Sequence, residues 1–352
     1  MRRAPGTGRR RAGRRRRWRH PGRLAAVAAA AVVLAIGAFA LAGLHLGSAP
    51  PAPASSSSAS SASPSGPLRV SVSDLGPLLP QALSGLSAAT SGGQVYLFGG
   101  NGPGGFSDTV YDFNPGNDAV SVAGHLPVAL HDGGAAAGAG RILFCGGGQS
   151  VGERSIYAFD PATGAVSSGG TLPHPLSDAE GATVGGVPYC LGGWTGSLYS
   201  DAVYALQPTL SVAARLPHAV RYSAAAALFG GVLVSGGLRS SGSPTADIQW
   251  VPLRSGAGAP AVVGTLPQPL AYAMGAPLGA DALVAGGCNT SGTPTTGVFT
   301  VTTKGTVTPV GTLPEPLCDG AAADVAGTIY IFGGAGTGGA ASAHVWKVQP
   351  VG

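Results

Sequence analysis

The chain has 352 residues, of which 60 are Gly and 29 are Pro, and only 10% are charged. Gly at this frequency disfavours long helices, because each interior Gly costs a helix roughly 0.8–1 kcal/mol relative to Ala. A hydrophobic content of 44% excludes a disordered chain. The Gly and Pro residues must therefore separate many short, apolar elements.

The net charge of +5 is the sum of two opposite parts. Eleven Arg residues lie within positions 1–23 and no Asp or Glu precedes Asp74, so the rest of the chain carries 9 basic and 15 acidic residues. Contacts to phosphates need clustered Lys and Arg. The composition therefore argues against nucleic acid as a partner of the main body.

The Arg-rich tail, residues 1–23, is followed by residues 24–46, which contain no Lys, Arg, Asp or Glu. As a helix this segment would be roughly 35 Å long, enough to cross a hydrocarbon core of about 30 Å. Because positive flanks stay in the cytoplasm, we expect a single-pass signal anchor with the remaining chain outside. The alternative is a cleaved signal peptide and secretion, since Ala40, Leu41 and Ala42 form a small-x-small cleavage pattern. The preference for Arg over Lys, 18 to 2, favours a bacterial source and hence a bacterial cell membrane.

Residues 47–67 are rich in Ser, Pro and Ala. Such a composition cannot bury a core, so we predict a linker that holds the next domain on the order of 25 Å from the membrane.

From residue 68 onward one pattern recurs six times. A Leu-Pro pair is followed, 20 residues after its Leu, by a Gly-Gly pair, and successive repeats are 44–50 residues apart. The pairs begin at Leu79 and Gly99, Leu126 and Gly146, Leu172 and Gly192, Leu216 and Gly236, Leu266 and Gly286, and Leu313 and Gly333. A fixed offset kept six times indicates a repeat architecture.

Each repeat contains four short apolar runs bounded by Gly, Pro or Asp, for example residues 133–138, 141–145, 155–159 and 165–167. Runs of this length with β-branched and aromatic residues are typical of strands, and four strands in 44–50 residues match one propeller blade. The last repeat ends after three strands, whereas residues 68–73 precede the first Leu-Pro pair as a fourth strand would. We therefore expect about 24 strands in six blades, with the N-terminal strand completing the last blade.

The strands that end in Gly-Gly, such as residues 95–100 and 329–334, resemble kelch repeats. In each repeat an aromatic residue follows about a dozen positions later: Tyr111, Tyr157, Tyr204, Trp250, Phe299 and Trp346. The resemblance covers residues 68–352 and implies an all-β, six-bladed kelch-like propeller. The Trp that usually follows in kelch repeats is absent, and Val120 and Val166 stand near its place. We therefore expect aliphatic side chains to pack the blades.

In such a blade, with strands a to d counted outward from the axis, the d–a and b–c loops emerge on one end, which we call the loop face. The resemblance implies that this face binds ligands, and Arg221 lies where some kelch domains place an Arg that grips acidic ligands. The candidate ligand-binding residues are Asn101, His131, Asp132, Asp178, Trp194, Arg221, Tyr222, Arg239, Tyr272, Asn289 and Asp319. The competing interpretation is structural: polar residues at loop starts often bind only backbone, and Trp194 can pack against the next blade.

Four Cys in an exported chain suggest two disulfides. Cys145 and Cys190 precede the Gly pairs of neighbouring blades, and Cys288 and Cys318 lie at the boundary between blades five and six. We predict these two pairings; the alternative is four buried free thiols.

No catalytic residue, metal site or cofactor is predicted. Only three Glu occur, Glu153, Glu180 and Glu315, and no His or Cys spacing matches a metal motif. The expected function is non-catalytic binding of a protein or glycan outside the cytoplasm. The alternatives are a carbohydrate-active propeller enzyme resembling sugar epimerases and a purely structural envelope component. A charged central pocket with converging Arg and Asp would favour the enzyme, and a broad, flat, aromatic-bearing face would favour binding.

Overall fold

The computed structural model describes residues 68–149 and 152–351, in which the regular elements are all β-strands. The predicted tail, membrane segment and linker, residues 1–67, lie outside the described residues. Within the described ranges, no helix has the length and apolar character that a membrane span requires.

In chain order the strands are β1 (Arg69–Asp74), β2 (Ser87–Ser91), β3 (Gln94–Phe98), β4 (Asn101–Gly102), β5 (Gly105–Phe106), β6 (Thr109–Asn114), β7 (Ala119–His125), β8 (His131–Gly138), β9 (Arg141–Gly148), β10 (Glu153–Phe159), β11 (Val166–Leu176), β12 (Glu180–Val184), β13 (Val187–Leu191), β14 (Ala202–Ala205), β15 (Ser211–Arg215), β16 (Ala224–Leu228), β17 (Gly231–Ser235), β18 (Thr245–Pro252), β19 (Ala261–Leu270), β20 (Met274–Leu278), β21 (Asp281–Ala285), β22 (Thr295–Val301), β23 (Val307–Leu317), β24 (Ala321–Val325), β25 (Thr328–Phe332) and β26 (Val345–Val351).

These strands form six four-stranded antiparallel sheets and one small hairpin, β4-β5, in the b–c loop of the first blade. The strand orders are β2-β3-β6-β7, β8-β9-β10-β11, β12-β13-β14-β15, β16-β17-β18-β19, β20-β21-β22-β23 and β24-β25-β26-β1. The prediction of a six-bladed, all-β propeller is confirmed. The prediction for the first strand is also confirmed, because β1 pairs with β26 from Arg69↔Val351 to Asp74↔Trp346 and so completes blade six.

Six apolar clusters fill the spaces between the blades, one at each of the six interfaces. As expected, most side chains in these clusters are aliphatic, but aromatic rings also pack together at two of the interfaces, which was not predicted from the sequence. Between blades one and two, the ring centroid of Phe98 lies 5.7 Å from that of Phe144 and 5.6 Å from that of Phe159. Between blades six and one, Phe113 lies 5.1 Å from Phe332. These aromatic residues lie on strands b and c. Their rings fill the interfaces from positions other than that of the absent kelch Trp.

The Leu of every Leu-Pro pair is buried, with at most 4% of its surface exposed. In β11, β19 and β23 the pair lies within strand d rather than after it. Pro is tolerated there because strand d is the outer edge of its blade, where a missing N–H breaks no ladder.

The Gly-Gly pairs are required because the backbone there approaches the connection to the next blade closely. All twelve Gly residues of the six pairs have positive φ, between 59° and 104°, a region that L-residues rarely adopt. In five pairs the second N–H donates to a carbonyl at the end of strand d or in the d–a loop that follows it, at 2.8–2.9 Å, as Gly193 does to Val220. A Cβ on the first Gly would collide with the same carbonyl; at Gly192 it would lie 2.7 Å from the Val220 oxygen. The pairs therefore join each blade to the next.

The structure forms both predicted disulfides and contains no free Cys. Cys145–Cys190 joins the b strands of blades two and three across a Cα–Cα distance of 6.4 Å. Cys288–Cys318 joins loops of blades five and six across 5.6 Å. Each bond therefore ties two neighbouring blades.

Candidate functional site

Six equivalent d–a loops meet at the propeller axis on the loop face. One residue from each loop donates its backbone N–H to the backbone carbonyl of the corresponding residue in the preceding loop, at distances of 2.6–3.2 Å. We call these residues the inner ring: Gly85, Asp132, Asp178, Tyr222, Tyr272 and Asp319. Asp319 accepts in turn from Gly85, so the ring of hydrogen bonds is closed.

All six inner-ring residues have positive φ, from 52° to 62°. Asp tolerates this conformation better than most residues, but for Tyr222 and Tyr272 it is uncommon. Strained backbone of this kind persists only where its surroundings hold it, and it concentrates at functional sites. The ring therefore holds two bulky aromatic residues in a conformation that their own preferences would not select.

The inner ring surrounds the mouth of a cavity of about 90 Å³ on the axis. The five inner-ring residues that carry side chains all line it, together with Glu180 at the start of β12. Below these polar groups the strands nearest the axis contribute small residues, mostly Ala and Gly. The rings of Tyr222 and Tyr272 stack with centroids 4.0 Å apart and an interplanar angle of 28°. The cavity thus combines carboxyl groups with an aromatic pair.

Two of the four cavity carboxyls are paired with a cationic or basic side chain. Asp132 contacts the Nδ1 atom of His131 at 2.7 Å. Asp178, one of the few buried charged residues, accepts a hydrogen bond from Arg221 Nη1 at 2.9 Å. The Tyr222 hydroxyl also bonds Asp178. These two pairs hold the carboxyl groups of Asp132 and Asp178 in fixed positions at the cavity.

Arg221 lies among aromatic rings: its guanidinium carbon is 5.6 Å from the Trp194 ring centroid and 5.0 Å from those of Tyr199 and Tyr222. Its Nε is buried and has no hydrogen-bond partner among the described residues. Trp194 therefore packs on Arg221 beside the cavity rather than within it, and it supports the orientation of the guanidinium toward Asp178.

Crowding of carboxyl groups shifts their titration. Burial, with a further contribution from Asp132, raises the pKa of Glu180 to about 8. Burial and the neighbouring carboxylates likewise raise the pKa of Asp319 well above its ordinary value. Burial also raises the pKa of Asp178, more than its bonds to Tyr222 and Arg221 lower it. Around neutral pH the cavity therefore holds carboxyl groups that can carry protons.

The pKa of His131 is raised, although burial alone would lower it. Desolvation lowers the pKa of the imidazole, but the hydrogen bond and charge of Asp132, together with Asp178, raise it by more. The ring of Phe106, on β5, lies against His131 in a tilted arrangement, with centroids 4.4 Å apart and 36° between the ring planes. Asp132 therefore favours the protonated form of His131 more than solvent would, under an exposed aromatic side chain.

Glu180 was not among the residues predicted from the sequence. It begins β12, two positions after Asp178. Its closeness along the chain to this d–a loop residue is the signal from which its position near the inner ring can be inferred.

Six predicted residues do not line the cavity. His131 and Arg221 lie beside it, in contact with residues that do, and Trp194 packs on Arg221. The other three lie in b–c loops on the rim of the loop face. Asn101 is exposed and pairs through its backbone with Ser84. Arg239 bonds Asp247 at 2.6 Å, and the side-chain oxygen of Asn289 accepts from the backbone of Ser291 and Thr293 in its own turn. For Asn289 the structural interpretation fits the geometry.

Within the part of the chain that the structure describes, no three His, Cys, Asp or Glu side chains are grouped closely enough to hold a metal ion.

No family model matches the chain, and no curated protein matches it by sequence. Among solved structures, the one described as "Structure of YjhT" superposes with a TM-score of 0.68 and 14% sequence identity, covering 78% of this chain and 100% of that chain. It is one of 562 matching chains, so the similarity establishes the fold and does not distinguish one function from another.

Proposed function

We propose that this protein is a kelch-type binding module that acts outside the cytoplasm, anchored in the membrane through residues 24–46. In this proposal the loop face binds a protein or a glycan, and an end group of that ligand enters the axial cavity. The observation that carries the proposal is the convergence of five predicted loop residues on one cavity mouth. Rigid scaffolds commonly present binding residues in this way.

Two further features support this proposal. Around the mouth, the rim of the loop face exposes apolar side chains: Phe106 is 44% exposed and Leu198 is 70% exposed. Exposed apolar groups beside a polar pocket are typical of interaction surfaces. The two disulfides are consistent with an oxidising compartment, and the Arg-rich tail with an orientation that leaves the propeller outside.

The binding proposal is tested with the full-length chain on a glycan array and in pull-down experiments, comparing two aromatic substitutions. Tyr272→Ala removes half of the stacked pair at the cavity mouth. Phe229→Ala changes a residue that is 88% exposed in the a–b turn at the opposite end of the propeller. We expect Tyr272→Ala to weaken binding about three- to tenfold, the value of one aromatic contact, and Phe229→Ala to leave it unchanged. Equal loss in both variants, or loss in neither, would reject the loop face as the binding surface.

A second candidate function is carbohydrate-active catalysis of the sugar epimerase type. The charged pocket in which Arg221 meets Asp178 is the arrangement that favours the enzyme. In addition, Glu180 has a pKa of about 8 and faces the cavity, and a general acid or base works best with a pKa near the operating pH. The test is NMR of reducing sugars incubated with the chain: exchange or inversion at a ring carbon that disappears in Glu180→Gln supports catalysis. Unchanged spectra across a panel of sugars leave binding as the function.

A further inference from the structure

The axial cavity has more carboxyl groups than basic side chains paired with them. Of its four carboxyls, Asp132 is paired with His131 and Asp178 with Arg221. The other two, Glu180 and Asp319, have no cationic partner among the described residues; Asp319 accepts a hydrogen bond from Ser84. Half of the acidic groups at the cavity therefore lack a counter-charge within the described chain.

Of these two unpaired carboxyls, Glu180 is the one that also lacks a hydrogen-bond donor. Its side chain is partly buried at the start of β12 and lines the cavity. The side-chain hydrogen bonds of the described residues include none to its carboxyl oxygens, and these oxygens are not fully enclosed by protein. Placing a carboxyl group there without a partner costs free energy. The propeller fold itself gives no reason for it, because the equivalent positions in the other blades are occupied by Ser, Gly, Ala, Met and Ala. The group is therefore placed for something that enters the cavity.

The other side of the cavity mouth is aromatic. Tyr222 and Tyr272 are stacked next to Asp319 in the inner ring, and the charge of Asp319 contributes to raising the pKa of Tyr272 to about 12, after the larger contribution of burial. Carboxylates together with aromatic faces are the groups that recognise ammonium ions, through charge-assisted hydrogen bonds and cation–π contacts.

The size of the cavity limits what can enter. A volume of about 90 Å³ accommodates several water molecules or one end group of a few heavy atoms. A whole oligosaccharide is larger than this volume and would remain mostly outside the cavity.

We propose that the axial cavity binds a primary ammonium group carried at the end of a ligand, held by Glu180 and Asp319 and flanked by the Tyr222–Tyr272 pair. This inference deepens the proposed function, on which it rests, by naming the chemistry of the end group. A lysine side chain of a protein and an amino sugar of a glycan both present this group, and the experiment separates the two sources.

The proposal has a linked proton effect. An ammonium group beside Glu180 favours its charged form, so binding releases protons and the affinity rises with pH from about 6 to about 8, until the amine itself loses its charge. The titratable and charged groups that face this site are His131, Asp132, Asp178, Arg221, Tyr222, Tyr272 and Asp319.

The test is isothermal titration calorimetry of the full-length chain with two matched pairs of probes. Nα-acetyl-lysine amide is compared with its Nε-acetylated form, and glucosamine with N-acetylglucosamine. Buffers that lack primary amines, phosphate and HEPES, are used in parallel, because their different ionisation enthalpies measure proton release. We expect at least one amine to bind at least tenfold more tightly than its neutral counterpart, with release of protons at pH 7; the pair that shows the effect identifies the source.

The variant is Glu180→Gln and its matched control is Glu315→Gln, the same chemical change at an exposed position on β23. We expect Glu180→Gln to weaken amine binding at least tenfold and to abolish the proton release, and Glu315→Gln to change neither. Circular dichroism of both variants checks that the propeller is intact.

Neutral and cationic probes that bind equally would overturn the ammonium proposal while leaving a ligand-binding cavity. Absence of binding by every probe at 10 mM would also overturn it, whereas ligand capture on the array and its dependence on Tyr272 decide the proposed function separately. Amine binding that is unchanged in Glu180→Gln would overturn the assignment of that residue.

Discussion

The first Gly of each Gly-Gly pair is expected to be essential for packing between blades, and Gly192→Ala tests this. At Gly192 φ is +67°, and an added Cβ would lie 2.7 Å from the Val220 carbonyl oxygen of the next loop. The control is Gly196→Ala in the same blade, where φ is +90° and nothing lies within 4 Å of the added Cβ. Both substitutions force Ala into a left-handed conformation, but only the first also collides with the neighbouring blade.

The expected magnitudes follow from these two contributions. Left-handed backbone costs a non-Gly residue about 1–2 kcal/mol, and this cost applies to both variants. Forcing an extra carbon against packed backbone adds about 1–3 kcal/mol, which applies only to Gly192→Ala. The loss of unfolded-state entropy on replacing Gly by Ala is the same in both and cancels in the comparison. The difference of about 1–3 kcal/mol corresponds to a melting temperature lower by roughly 2–5 °C for a domain of this size.

The assay is thermal unfolding of the two full-length variants and the wild type, followed by circular dichroism and calorimetry at one scan rate. Gly192→Ala should melt well below Gly196→Ala, which should itself melt slightly below the wild type. Equal melting temperatures for the two variants would refute the argument that close approach between blades, rather than φ alone, requires Gly at this position.

Three further predictions concern ring closure, disulfides and pH. Deleting residues 68–74 removes the six-residue ladder to β26 and the bond of His344 to Asp74, so the melting transition should shift down by more than 10 °C or lose cooperativity; an unchanged curve contradicts closure by β1. Replacing both members of Cys145–Cys190, separated by 45 residues, should cost about 4 kcal/mol in chemical denaturation, and wild-type stability would contradict a structural bond. The pKa of Glu180 is raised from 4.5 to about 8. The wild type should therefore lose stability as the pH rises across that interval, by at most about 5 kcal/mol from this group. The stability of Glu180→Gln should depend less on pH and should exceed that of the wild type at pH 8.5; parallel stability profiles of the two proteins would contradict the shift.

Much of the fold was predictable because its signal is periodic. The constant distance between Leu-Pro and Gly-Gly pairs, the four apolar runs per repeat and the incomplete last repeat were enough to predict six blades closed by β1. Position within the repeat also predicted both disulfides. The blade interfaces were less predictable, because which of several aromatic residues fills an interface depends on the twist of the sheets, and the twist is not visible in the spacing. Phe98, Phe144 and Phe159 illustrate this.

The position of the candidate site could be predicted from the sequence, but its complete set of residues and their interactions could not. The d–a loops meet at the axis in any propeller, so Asp132, Asp178 and Asp319 could be placed at the mouth. The b–c loops of Arg239 and Asn289 diverge from the axis, which the repeat does not reveal. The ion pairs depend on side-chain rotamers within the mouth, and the perturbed titration of the carboxyls depends on how closely the six loops approach one another. Neither distance can be obtained from sequence spacing.

The inner ring has a consequence for how such a site can change. Its six hydrogen bonds use only main-chain groups, so the ring closes around Gly, Asp and Tyr alike, although the left-handed backbone is less favourable for Tyr than for Gly or Asp. The same six places can therefore exchange side chains over evolutionary time without losing these hydrogen bonds. A scaffold of nearly sixfold symmetry thereby supports a pocket with no symmetry at all, acidic on one side and aromatic on the other. A change of ligand preference would require only a few codon changes at residues 85, 132, 178, 222, 272 and 319, with the rest of the propeller untouched.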